Sequence, residues 1–136
     1  MSPKKSYVAA YQGIDGAYSQ EAVFEYFGKE VPTLGCASFD EVVAAVESGE
    51  AQYGFLPAEN SAAGTIVQTY DLLRESNLLI VGEHYLPVHH HLMVLPEVRL
   101  EDVKVVYSHP QALAQCAQTI RRFGFRAEAT WATAGS

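Results

Sequence analysis

The chain has no run of about 18 consecutive apolar residues, the minimum for a membrane-crossing helix. It has little cysteine: Cys36 and Cys116 stand far apart, so no close pair suggests a zinc site or a dithiol redox motif. Both are expected to be reduced, buried thiols of a cytoplasmic protein. Basic residues are few, 9 Lys and Arg against 16 Asp and Glu, for a net charge of −7. That excludes a general nucleic-acid surface and leaves only a local basic cluster at Arg121, Arg122 and Arg126. Met1 to Lys5 carries two lysines with no apolar stretch after them, so no signal peptide is expected. Repeats, low-complexity tracts and obvious linkers are lacking too. What is present, 49% hydrophobic and 18% charged residues in 136, is the composition of a soluble globular protein, and the length suits one compact domain with a core of its own.

Strand and helix signals alternate. Tyr7 to Tyr11 reads as a buried strand, and Gln12 to Gly16 as a turn by composition. Ser19 is expected to cap a helix over 20–27, with Gly28 as its stop. Val31 to Gly35 reads as a second strand. Ser38 and Glu41 fit a capping box for a helix whose apolar face is Val42, Val43 and Val46, ended by Gly49. Tyr53 to Leu56 reads as a third strand, Ile66 to Arg74 as a helix, and Leu78 to Gly82 as a fourth strand. This β-α-β-α-β-α-β order predicts a parallel sheet with right-handed crossovers. Glu83 to Leu95 then reads as one long extended run, suited to a crossing between two lobes. A helical turn at Leu100 to Val103, a strand at Val105 to Tyr107, a helix over 110–123 with Pro110 in the favoured first position, and a strand at Arg126 to Ala129 follow. Thr133 to Ser136 reads as the start of a further helix, so the domain is expected to continue past it.

The most informative run is Pro57-Ala58-Glu59-Asn60-Ser61-Ala62-Ala63-Gly64-Thr65. It joins a strand end to a helix start through an acid, an amide and two hydroxyls. Strand ends and helix N-termini hold anions, because free N–H groups and the positive end of the helix dipole face them. Those side chains serve equally well as plain caps. Gly13-Ile14-Asp15-Gly16-Ala17-Tyr18-Ser19 offers backbone N–H groups and a hydroxyl to a carboxylate, or is simply a turn with an N-cap. It lacks the close glycine pair of a dinucleotide fingerprint. Ser108-His109-Pro110-Gln111 opens another helix in the same way. His89-His90-His91 does not read as a metal site, since adjacent strand side chains point to opposite faces. A middle histidine suits a hydrogen bond to a substrate oxygen. Cys116, expected to be buried inside a helix, does not read as a catalytic thiol.

Four segments together resemble prephenate dehydratase, the enzyme that makes phenylpyruvate on the way to phenylalanine. They are the runs 11–19, 54–64, 86–92 and 107–116, that is Tyr-Gln-Gly-Ile-Asp-Gly-Ala-Tyr-Ser, Gly-Phe-Leu-Pro-Ala-Glu-Asn-Ser-Ala-Ala-Gly, Leu-Pro-Val-His-His-His-Leu and Tyr-Ser-His-Pro-Gln-Ala-Leu-Ala-Gln-Cys. They lie in the family's order and cover nearly the whole chain. The resemblance implies a two-lobed α/β fold like a type II periplasmic-binding protein, with residues 1–83 as the first lobe and 84–136 as part of a second. It implies that Ser19, Asn60, Ser61, Gly64, Ser108 and Gln111 bind substrate. It makes His90 the catalytic candidate, with His89 as the alternative register. The family's Thr-Arg-Phe motif, whose threonine is taken as the key catalytic residue, lies downstream in the family and does not occur in these 136 residues. Neither does the phenylalanine-binding ACT domain.

The implied reaction converts prephenate to phenylpyruvate, water and carbon dioxide, a hydro-lyase step that calls for no metal or organic cofactor. The implied partner is the small molecule prephenate, with no nucleic acid or membrane and with a homo-oligomer in view. Two alternatives accompany it: arogenate as substrate, and a non-catalytic domain that binds a small carboxylate or amino acid.

Overall fold

The computed structural model describes residues 7–61, 64–131 and 133. They form a mixed α/β chain with parallel sheets that divides into two compact units, Met1–Leu86 and Pro87–Ser136.

In the first unit, β1 (Tyr7–Gln12), β2 (Thr33–Cys36) and β3 (Ala51–Phe55) make a parallel sheet of order β2-β1-β3. The central strand alternates. Ala9 and Tyr11 face α1 (Tyr18–Phe27) and cluster with Val23, while Ala10 faces α2 (Phe39–Glu47) and clusters with Val42, Ala45, Cys36 and Ala51. A strand's side chains alternate between the two faces, so one strand feeds both halves of the core. All three β1 residues are fully buried. The small side chain of Ala10 and the bare backbone of Gly54 let α2 lie close. An added Cβ at Gly54 would stand 3.1 Å from Val42 Cγ1 and 3.2 Å from Val46 Cγ2.

The capping signals of α2 hold with one shift. Ser38 Oγ accepts from the Glu41 N–H at 3.2 Å, and the Glu41 carboxylate accepts from the Ala37 N–H at 2.9 Å. Glu41 thus reaches one residue further back than in the standard box. For α1 the expected cap is wrong. Ala17 is the N-cap and makes no side-chain hydrogen bond, and Ser19 lies inside the first turn.

After β3 a short antiparallel hairpin, β4 (Glu59–Asn60) and β5 (Gly64–Thr65), precedes α3 (Val67–Glu75). The expected fourth strand at Leu78 to Gly82 does not form, nor does a single long strand over 83–95. A strand needs a partner to take up its N–H and C=O groups, and neither run has a ladder among the described residues. Leu79, Ile80, Met93 and Leu95 are accordingly exposed. Past α3 the first unit is fastened back on itself: His84 Nε2 lies 2.6 Å from Glu25 Oε2 on α1, and Tyr26 meets the His84 ring edge-to-face at 6.1 Å.

The second unit is a single parallel crossover. A 3-10 turn (Leu100–Asp102) leads into β6 (Val105–Ser108), then α4 (Pro110–Gln115), α5 (Ala117–Phe123) and β7 (Arg126–Ala129), which pairs with β6 in parallel. The single helix expected over 110–123 is broken at Cys116, whose φ of −98° and ψ of 9° leave the α region. Gly124 closes α5 in the left-handed conformation, with Phe125 N donating to Ile120 O and Gly124 N to Arg121 O, a Schellman motif. No described residue from Pro87 on is fully buried, so Cys116 is only half-buried, unlike Cys36. The helix start read at Thr133 to Ser136 lies, apart from Thr133, outside the described residues. No helix among the described residues is long and apolar enough to cross a membrane.

Candidate functional site

The strand order decides where a ligand would sit in the first unit. The connection from β1 goes to β2 on one side, and the next strand in sequence, β3, returns to the other side of β1. The order therefore switches direction between β1 and β3. In open α/β sheets ligands bind outside the carboxyl ends of the strands at such a switch point. Tyr11 pairs with Phe55, so the two strands end level, and the loops 13–19 and 57–65 leave from the same sheet edge. These are the loops that carry Ser19, Asn60, Ser61 and Gly64.

The first loop is braced by a residue that sequence reasoning passed over. Gln20, buried at the start of α1, accepts the Gly16 N–H on Oε1 at 2.7 Å. Its amide nitrogen donates to Asp15 Oδ1 at 3.1 Å and to Thr33 Oγ1 at 3.3 Å. One amide thus ties the turn, the helix and β2 together. Below it, the Tyr11 hydroxyl donates to Asp15 Oδ1 at 3.4 Å. Burial, and next the Asp15 carboxylate, push the Tyr11 phenol up to about 12, so it stays a proton donor. Gly13 N donates to Cys36 O at 2.9 Å, and Gly13 takes a φ of 136° that a side chain would resist. Ser19 sits half-buried in the first turn of α1, its hydroxyl not spent on capping.

The second loop is held at both ends. Ile66 N donates to Ala58 O at 2.9 Å, and the buried Thr69 hydroxyl donates to Pro57 O at 2.7 Å. Asn60, half-buried, pairs with Gly64 across the hairpin, and Gly64 supplies the positive φ of 76°. Ser61 is exposed in the hairpin turn. It therefore does not sit at the helix N-terminus: the hairpin separates it from α3, which begins at Val67, one residue past the expected Ile66, with Ile66 as an N-cap that makes no side-chain bond. The sequence hides this: a two-residue ladder is too short to leave a periodic signal.

In the second unit Ser108 ends β6, and its hydroxyl donates to Thr133 Oγ1 at 3.0 Å while its carbonyl accepts from Thr130 N at 2.7 Å. Gln111 is exposed at the second position of α4, and its N–H is already given to His109 Nδ1 at 3.1 Å, the imidazole acting as N-cap. The backbone donor that was to hold a carboxylate there is thus engaged. Of the three histidines, His90 lies with Nε2 2.6 Å from Gln115 Oε1. Gln115, at the end of α4, is a second residue that sequence reasoning missed, since nothing in its spacing marks it.

Other chemistry is easily placed. Burial, then Glu41 and Glu50, raise the Cys36 thiol, which keeps it protonated and poor as a nucleophile. No group of three or more His, Cys, Asp and Glu is placed to hold a metal ion among the described residues.

A parallel α/β sheet with polar loops at its switch point defines a class of small-molecule binding domain. The family follows from the sequence: the model for prephenate dehydratase matches residues 9–136, and the chain belongs to that family. Arogenate dehydratase 1 of Petunia hybrida is 48% identical over 132 residues, covering 93% of this chain and 30% of that protein. The solved prephenate dehydratase of Arthrobacter aurescens, in complex with L-Phe, superposes with a TM-score of 0.86 at 25% identity, over 94% of this chain and 44% of that one. A structure described as GqqA, a novel type of quorum quenching acylase, gives a TM-score of 0.83 at 38% identity, over 94% of this chain and 46% of that one. The chain spans about a third of the length of the curated relatives it matches.

Proposed function

We propose that the protein containing this chain is a decarboxylating dehydratase of prephenate, releasing phenylpyruvate. The observation that carries the reading is the placement of the family-like loops 13–19 and 57–65 at the β1/β3 switch point. Prephenate presents two carboxylates and a ring hydroxyl. The bond from the ring to its carboxylate breaks, the electron pair enters the ring, and the hydroxyl departs as water after taking up a proton. Aromaticity drives the step. Ser19 and Asn60 would hold one carboxylate at the first unit's strand ends, with Ser61 and Gly64 shaping the hairpin beside them. Within the second unit, Ser108 and Gln111 are the substrate-binding candidates that the family resemblance supports. His90, steadied by Gln115, would address the leaving hydroxyl without being its acid. That proton falls to the family's downstream threonine, a role typically worth about 10²–10⁴-fold. On this reading the two units correspond to the two lobes of the periplasmic-binding-protein-like fold, the protein is cytoplasmic, and it assembles as a homo-oligomer.

The Petunia relative supports arogenate as a second substrate, which differs from prephenate only in an amine for a ketone. The similarity to the quorum-quenching acylase supports another reading, acyl transfer to water. The test is to offer prephenate, arogenate and an acylated amine to the chain, alone and joined to a dehydratase segment carrying Thr-Arg-Phe. Phenylpyruvate or phenylalanine well above the enzyme-free blank, from the joined protein, is the expected result. Blank rates with both dienes overturn the dehydratase reading, and release of a free acid from the amine replaces it.

A further inference from the structure

Thr133 stands at the carboxyl end of the β6–β7 pair, beside Ser108. We propose that Thr133 is a binding residue, and that the Ser108–Thr133 hydroxyl pair receives the side-chain (pyruvyl) carboxylate that substrate and product share. The inference rests on the dehydratase reading for the identity of the ligand, and on the geometry of the second unit for the site.

The pairing of the two hydroxyls is what makes them useful. Ser108 Oγ and Thr133 Oγ1 lie 3.0 Å apart, within hydrogen-bond reach. Two hydroxyls hold two protons and their mutual bond uses one, so the other is left to be donated onward. A hydroxyl that accepts one bond becomes a stronger donor in the next, so the pair is suited to an anion. Ser108 is half-buried and Thr133 exposed, which sets the inner member as anchor and the outer as contact. Register fixes the anchor: Ser108 pairs with Ala129, and its carbonyl accepts from Thr130 N at 2.7 Å, so the residue that follows β7 is stitched to the end of β6. Carboxyl ends of parallel strands are where α/β sheets receive ligands.

The experiment measures the affinity of the unsubstituted chain, Thr133→Val and Thr133→Ser for two ligands. Phenylpyruvate carries the carboxylate. Phenylacetone replaces it with a methyl group on the same ketone. The expected result is that Thr133→Val weakens phenylpyruvate about tenfold, leaves phenylacetone unchanged, and that Thr133→Ser restores phenylpyruvate binding to within about threefold, tenfold being ~1.4 kcal/mol. A merely structural threonine would move both ligands together, and that result overturns the proposal. So does the failure of the unsubstituted chain to bind phenylpyruvate. Turnover of prephenate by the joined protein that Thr133→Val leaves intact would overturn the proposal while the dehydratase reading stands. Carboxylate-selective binding that depends on Thr133, without turnover, would uphold the site and count against the reaction.

Discussion

The hydroxyl of Thr69 donates to the carbonyl of Pro57 at 2.7 Å, from a side chain only 2% exposed. This bond fastens α3 to the root of the loop that carries Asn60, so the loop's start does not depend on the loop itself. Replacement by valine keeps the shape and strands the carbonyl. Thr69→Val should cost about 1 kcal/mol of stability, the usual net worth of one intramolecular hydrogen bond. Thr69→Ser should recover most of it. Urea unfolding of the three proteins decides the matter.

Gly35 is the contact that keeps β2 tight against the first loop. An added Cβ would stand 2.7 Å from the Gly13 carbonyl and 3.2 Å from the Tyr11 hydroxyl. The first neighbour is backbone and cannot turn aside. Gly35→Ala should therefore destabilise by about 1–3 kcal/mol, as overpacking does. It should also shift the amide resonances of residues 13–19, which a distant destabilisation would not do selectively.

Tyr11 gives a stability term with a defined pH window. Its phenol is raised from 10.0 to about 12 in the folded chain, first by burial and then by Asp15. The folded state holds the proton more tightly than the unfolded one. The term is present in full below pH 10 and is lost as pH rises toward 12. Unfolding midpoints should fall across that window, and Tyr11→Phe should flatten the fall.

Asn60 is placed by a hairpin and supplies both a donor and an acceptor at the switch-point loop. In the dehydratase-joined protein, Asn60→Ala should lower kcat/KM for prephenate at least about tenfold, ~1.4 kcal/mol. Its unfolding midpoint should stay near that of the unsubstituted protein. Equal kinetics with an intact fold would remove Asn60 from the site.

Much of this was legible in the sequence, for physical reasons that differ by element. The strand-helix alternation through Phe55, the Ser38 and Glu41 signals, the start of α4 at Pro110 and the stop at Gly124 are local effects, written in adjacent residues. The fourth strand was not, because Leu78 to Gly82 has the composition of a strand but a ladder depends on a partner far away in sequence. Ser19 looked like a cap because serine favours that position, and Ala17 took it because Gln20 satisfies the turn from inside the helix. Gln20, Thr69, Gln115 and Thr133 act through contacts that carry no periodic signature. The motif loops were found by resemblance, and the strand order supplies the reason they lie where they do.

The most direct measurement is an amide map of the isotopically labelled chain titrated with prephenate near neutral pH. Saturable shifts concentrated in residues 13–19 and 59–65, in the loops that follow β1 and β3, are expected. Saturable shifts confined to other parts of the first unit, or none at all, would contradict the switch-point site.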